Sequence, residues 1–123
     1  MNKYRELAAA IRKGHTMIKE SVSVFVSPDC GCALGAAWYG TGKTYEDWLK
    51  KKLDVREEMC AVLGITEGLR LEISGMHFHG KPRLAIADWL DTLADDVESV
   101  PQRESDQAYA SRKVAELMEM VAA

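Results

Sequence analysis

Apolar positions near the start of the chain recur with a helical period. Tyr4, Leu7, Ala8 and Ile11 fall at three- and four-residue spacings and form one stripe. Asn2 stands ready to cap this helix, Arg12 and Lys13 sit in its last turn, and Gly14 is expected to supply a left-handed stop. The period then changes. In ESVSVFVSPD, Val22, Val24 and Val26 alternate with Ser21, Ser23, Phe25 and Ser27, the two-residue repeat of a strand, and Ser-Pro-Asp closes it as a turn. A second alternation, LRLEIS, sets Leu69, Leu71 and Ile73 against Arg70, Glu72 and Ser74. The two runs predict a small antiparallel ribbon laid on helices, because two strands alone are stable only when something covers them.

Between and beyond these runs the pattern is helical. Residues 31–39 are apolar nearly all round, which marks a helix buried on most sides, with Gly40 and Gly42 as its end. Thr44 caps a short helix in YEDWLKKK, whose acids lie in the first turn and lysines in the last. Asp54 and Glu57 form a capping-box-like pair ahead of Val55, Met59, Val62 and Leu63, and Gly64 terminates that stripe. Pro82 suits a first helical position before Leu84, Ala87, Leu90 and Leu93, a stripe widened by Ile86 and Trp89. A polar link at about 98–105 precedes a final helix carrying Ala110, Val114, Leu117 and Val121. The fold class expected is mainly α, at the α+β border. It is a single domain over residues 1–123, with five or six helices and a minor two-stranded antiparallel β ribbon.

Composition narrows the class. A chain of 123 residues with 47% hydrophobic and 28% charged positions has enough apolar surface for one core. The longest apolar stretch, Ala33 to Tyr39, is far below the roughly 20 residues of a membrane span. The opening MNKYRELAAAIRKG lacks the pattern of a signal peptide, so a cytoplasmic location is expected. Three cysteines without an export signal do not read as a disulfide framework. The net charge of −3 is unevenly spread: residues 81–123 carry 5 Lys and Arg against 9 Asp and Glu. That balance argues against a nucleic-acid footprint there.

Four kinds of chemistry have candidate residues. Cys30 and Cys32, with His77 and His79, offer four ligands to a metal such as zinc, although a single residue between thiols is closer than the usual spacing. The competing reading makes Cys32 a small apolar residue at a helix start and the histidines ordinary turn and surface residues. Cys30 or Cys32 could also be a nucleophile acidified by helix N–H groups, with His15, His77 or His79 as base. The Asp29-Cys30 pair before an apolar helix resembles the cysteine peptidases of the cell-wall amidase type. Those enzymes carry their histidine on a sheet of several strands, and only two strands are predicted here; a packed thiol is the reading preferred. KPRLAIADWL resembles a helix of a helix-turn-helix, and Lys50, Lys51 and Lys52 make a positive patch, but the acids that follow and the field at a helix C-terminus account for both more simply. Finally, Met118, Met120 and Val121, together with Trp38, Trp48 and Trp89, could build a partner-binding face or a homodimer contact; against this, most aromatics of so small a domain belong in its core. No P-loop, dinucleotide fingerprint, H-E-x-x-H, EF-hand loop or G-x-S-x-G occurs.

Two stretches, CALGAAWYGTG at 32–42 and RLAIADWL at 83–90, together resemble small uncharacterised bacterial and phage-type proteins that share a Cys-Ala-Leu-Gly-Ala helix and a later Ile-Ala-Asp-Trp-Leu helix. The likeness covers the first three-quarters of the chain and implies no activity. It implies that Cys32, rather than Cys30, belongs to the recurring pattern, and so favours packing: Cys32, Gly35, Ala36 and Trp38 then mark a helix pressed closely by its neighbours. The expectation is an accessory or regulatory protein, more plausibly not an enzyme and without a cofactor. It would act by binding another macromolecule, a second copy included, with no membrane contact. A metal- or thiol-dependent activity at Cys30, Cys32, His77 and His79 is the alternative, and nucleic-acid binding a further one.

Overall fold

The structure, a computed structural model, describes residues 2–21, 25–99 and 114–119. Its elements in order are α1 (Lys3–His15), β1 (Lys19–Glu20), β2 (Cys30–Gly31), α2 (Ala33–Gly40), α3 (Tyr45–Leu49), α4 (Val55–Leu63), α5 (Glu67–Phe78) and α6 (Arg83–Ser99). A helical stretch at 114–119 makes seven helices among the described residues. The protein is mainly helical, with one short two-stranded sheet. None of these helices is long and apolar enough to cross a membrane.

Helix α2 is the centre. All residues from Ala33 to Tyr39 are buried, and α1, α4, α5, α6 and β2 pack around them. The approach on two sides is backbone to backbone. A Cβ added to Gly14 would lie 1.7 Å from the Ala36 carbonyl oxygen, and one on Gly40 would lie 1.9 Å from that of Ala10, so α1 and α2 touch at both ends of their contact. The Phe25 carbonyl stands 1.7 Å from where a Cβ of Gly35 would be, closing the opposite face. Gly14 is thus not a stop. Helix α1 runs on to His15, Gly14 keeps a negative φ, and its missing side chain makes room for α2. Gly40 serves the same purpose within α2, while Gly42, with φ of 94°, turns the chain beyond it.

Helix α6 is held to α1 by charge. Arg5 reaches Asp91 at 3.3 Å, Asp95 at 2.6 Å and Glu98 at 2.9 Å, and Arg12 reaches Asp88 at 2.9 Å and Asp91 at 2.5 Å. The acids of α6 recur at three- and four-residue spacing and face basic residues seven positions apart on α1, so two parallel faces zip together. The buried stripe of α6 is Arg83, Ile86, Ala87, Leu90 and Ala94; Leu84, expected in the stripe, is exposed.

Arg83 fixes the start of α6. Its side chain is 1% exposed. Nη1 donates to the carbonyls of Lys19 and Gly31, Nη2 to that of Ile18, and both Nε and Nη2 approach His15 Nδ1. A guanidinium can only donate, so His15 Nδ1 is the acceptor and its proton sits on Nε2. The Arg83 N–H donates to the Glu20 carboxylate at 3.0 Å. Burial pulls the guanidinium pKa down, and the Glu20 charge opposes that pull. One side chain therefore ties the end of α1, the turn after it, both strands and α6 together.

Two expectations are corrected. The ribbon is parallel, not antiparallel: Lys19 pairs with Cys30 and Glu20 with Gly31. Its strands are not the alternating runs. Of the first run, Val22 and Val24 lie outside the described residues, and Val26 makes an isolated antiparallel bridge to Gly31. The second run is helical, within α5, where Leu69, Ile73 and His77 are buried at four-residue spacing and Leu71 faces outward. A six-residue apolar alternation fits either period, and Thr66, whose hydroxyl accepts from the Leu69 N–H, decides for the helix. This adds the helix that the expected five or six omitted. Of the polar link, Glu98 and Ser99 belong to α6, and 100–113 lie outside the described residues, as do Ala110 and Val121 of the final stripe.

Two measurements test this architecture. Gly14→Ala or Gly35→Ala costs about 2–3 kcal/mol in urea unfolding because carbonyl backbone must yield, whereas Gly75→Ala, where an added Cβ meets nothing within 4 Å, gains about 0.5–1 kcal/mol; equal effects at these positions would refute close apposition. Arg83→Ala leaves several buried carbonyls unpaired and lowers stability by about 3–5 kcal/mol, and a loss below about 1 kcal/mol would refute the clasp.

Candidate functional site

A cavity of about 420 Å³ opens between the start of α2 and the outer part of α5, bounded by Phe25, Cys32, Ala33, Leu34, Leu71, Ile73, Ser74, Gly75, His77 and Phe78. Each wall follows from local structure. Cys32 is the N-cap of α2, in extended conformation, and leads into Ala33 and Leu34. Gly75 in α5 leaves open space where any other residue would project a side chain. Leu71 and Phe78, 56% and 81% exposed, belong to the α5 wall and extend the apolar surface outward. Among the described residues, no Asp, Glu, Lys or Arg lines the cavity.

Among the described residues, two buried side-chain atoms of α5 lack hydrogen bonds. The Ser74 hydroxyl oxygen and His77 Nδ1 are both buried without a partner. His77 is 2% exposed, and its Nε2 lies 3.1 Å from the Ser21 carbonyl oxygen. A helical serine ordinarily returns its hydroxyl to a carbonyl of the preceding turn, and Ser74 does not. Most buried polar side chains find partners, and these two atoms are closed off behind the cavity wall without one among the described residues.

The structure separates the four residues expected to form a metal or thiol site. Cys32 and His77 line the cavity together; Cys30 and His79 are not among its walls. Cys30 lies in β2 with its sulfur 2.9 Å from the Ser27 hydroxyl, and His79 caps α5 on the surface with its ring edge-on to Phe78 at 5.7 Å. Among the described residues no three His, Cys, Asp or Glu side chains come together in a group that could hold a metal ion. Nor, among the described residues, does His77 pair with a cysteine, since its Nδ1 is unpartnered and Nε2 faces Ser21. Burial pushes the Cys32 thiol up, and the N–H groups of Gly35 and Leu34 at the helix start pull it down less. Cys60 is likewise raised, by burial and by Glu67. His15, the remaining candidate base, is engaged by Arg83.

The other candidates fall elsewhere. Trp38 donates its indole N–H to the Thr44 carbonyl and stacks edge-on with Trp48 at 5.1 Å, anchoring α3 in the core. Lys51 lies over the Trp48 ring and donates to the Trp48 carbonyl, as a helix C-terminus favours. In KPRLAIADWL, Arg83 is turned inward and Asp88 is paired with Arg12, so both are committed to the fold. Met118 lies in the 114–119 helix, where Val114, Leu117 and Met118 are exposed; Met120 and Val121 lie outside the described residues. Sequence reasoning named Cys32 and His77 but missed Ser74, Gly75 and Phe78. The signal was the four-residue spacing of Leu69, Ile73 and His77 behind the Thr66 cap.

A raised thiol pKa means less thiolate at any given pH. Cys32 in the folded chain should therefore react with iodoacetamide at pH 8 at least about tenfold more slowly than in urea, by peptide mapping; equal rates would show an activated or exposed sulfur. Compared with known proteins, the chain has no match among family models, curated sequences or solved structures.

Proposed function

We propose that this protein is a small binding module. It recognises a partner polypeptide by taking one of its side chains into the cavity between α2 and α5. The observation that carries this reading is the pairing of an uncharged, apolar-walled cavity with exposed Phe78 and Leu71 at its edge. Its volume of about 420 Å³ falls in the range of ligand sites. Large apolar side chains beside a concavity form the anchor-and-rim arrangement in which a few residues supply most of the affinity. The rest of the fold supports a rigid receptor: one wall is the start of α2, whose packing is backbone to backbone, and the other is a capped twelve-residue helix.

Thiol chemistry is less well supported, because Cys32 is pushed toward the inert thiol and, among the described residues, neither ring nitrogen of His77 pairs with it. Nucleic-acid binding is less well supported too, since Arg5, Arg12 and Arg83 are spent on α6 and the turns.

Peptides selected from a random display library against the intact chain should bind at micromolar Kd and lose at least about tenfold in affinity to Gly75→Leu, which fills the cavity from a position with open space. Phe78→Ser should weaken the same peptides. The melting temperature of each variant shows that it is folded. Failure to select any peptide, or selected peptides indifferent to Gly75→Leu, would overturn the reading.

A further inference from the structure

The geometry points to a second ligand site, independent of the reading above: a lysine-lined cavity at α3 that takes a phosphate monoester. It encloses about 320 Å³ between the end of α2, the short helix α3 and the side of α4. Four of its seven lining residues are lysines, Lys43, Lys50, Lys51 and Lys52.

Lysines at a helix end are ordinarily explained by the negative pole of the helix. Here only Lys51 fits that account. Its ammonium donates to the Trp48 carbonyl at 3.2 Å and lies over the Trp48 ring. Among the described residues, Lys43, Lys50 and Lys52 enter no ion pair and donate no side-chain hydrogen bond. Their charges nonetheless act on one place. The Asp47 carboxyl is held below its usual range first by its bonds to Thr44, and further by the charges of Lys43 and Lys50. Asp47 is itself committed, since its Oδ2 accepts from the Thr44 N–H and hydroxyl in the capping box of α3. The frame beneath is fixed as well: the indole N–H of Trp38 donates to the Thr44 carbonyl at 2.8 Å. The ammoniums therefore stand on an ordered scaffold with no anion to meet them.

Charge, shape and size select the ligand. Four ammoniums against two carboxylates, Asp47 and Glu58, leave the lining with two positive charges in excess. A phosphate monoester carries close to two negative charges at neutral pH. Lysine offers point charges, which suit phosphate oxygens, whereas a carboxylate is best gripped by the planar fork of arginine. Among the described residues, no arginine lines this cavity. An extended polyanion is a poorer match. Residues 43–58 carry five basic and five acidic side chains, so a bilayer or nucleic acid laid across them meets no net charge. Only an anion small enough to enter the cavity finds lysines in excess. A space of about 320 Å³ equals roughly eleven waters at bulk density, more than a phosphate alone fills. Glu58 can accept from a hydroxyl or N–H on the organic remainder. That remainder is a free small molecule or the backbone of a phosphorylated polypeptide.

Titration of the intact ¹⁵N-labelled chain at constant ionic strength tests this by NMR. Glycerol 3-phosphate and N-acetyl-phosphoserinamide should shift the signals of Lys43, Trp48, Lys50 and Lys52. Both should bind at least about tenfold more tightly than N-acetyl-aspartamide, which offers a carboxylate instead. Lys50→Ala combined with Lys52→Ala should weaken both esters by at least about tenfold, with the melting temperature showing that the variant is folded. Lys81→Ala, exposed and outside the cavity, should change either affinity less than about twofold. Tighter binding of glycerol 3-phosphate supports the site and assigns it a free ester; tighter binding of N-acetyl-phosphoserinamide supports it with a phosphorylated polypeptide as source. Equal binding of N-acetyl-aspartamide, or the same shifts from sodium chloride, would reduce the lysines to screened surface charge and overturn the inference. So would a loss in Lys81→Ala as large as in the double variant. Gly75→Leu should leave these titrations unchanged, which keeps the outcome separate from that of the α2–α5 cavity.

Discussion

Contact between backbones at α2 sets the terms for the rest of this structure. Where α1 and α2 cross, carbonyl oxygens occupy the places that side chains of Gly14 and Gly40 would take, and the Phe25 carbonyl does the same at Gly35. Such proximity removes apolar surface from water with small residues alone, and it leaves an eight-residue helix with no free side. Helices α1, α4, α5 and α6 then find their places relative to this one. The ion pairs along α1 and α6 lie at the surface, where each contributes little to stability. What they supply is direction: acids of α6 meet arginines of α1 in one rotational setting only.

How much of this was legible depends on which signals were local. The caps at Asn2, Thr44 and Asp54 and the left-handed Gly64 are short-range chemistry, and each stands where the sequence puts it. Gly14 and Gly40 were legible as glycines but not as contacts, because a stop and a close approach ask for the same residue. LRLEIS misled for a related reason: leucine and isoleucine at every second position also fall at every fourth, and the capping threonine lies just outside the run. The acidic character of the last third reads as a solvated surface in composition alone. In space much of it is one face of a helix pair.

The site shows the same division. Cys32 and His77 were suspected as partners in chemistry, and they do meet at one cavity, yet as walls and not as reactants. The cavity itself depends on α5 being helical, which places Ser74, Gly75 and Phe78 beside His77 and opposite the start of α2. None of these three residues carries a motif. Their significance lies in the open space at Gly75 and the exposed ring of Phe78.

The buried arginine has a kinetic corollary. Its bonds join position 83 to positions 15, 18, 19 and 31, a sequence separation of 52 to 68 residues. Closing loops of that length is slow and must precede any reward from the contacts made. Helices α1 and α2, nearer in sequence, can dock first and form the seat. The guanidinium would then enter after them, as a latch whose engagement turns a collapsed helical chain into one fixed arrangement.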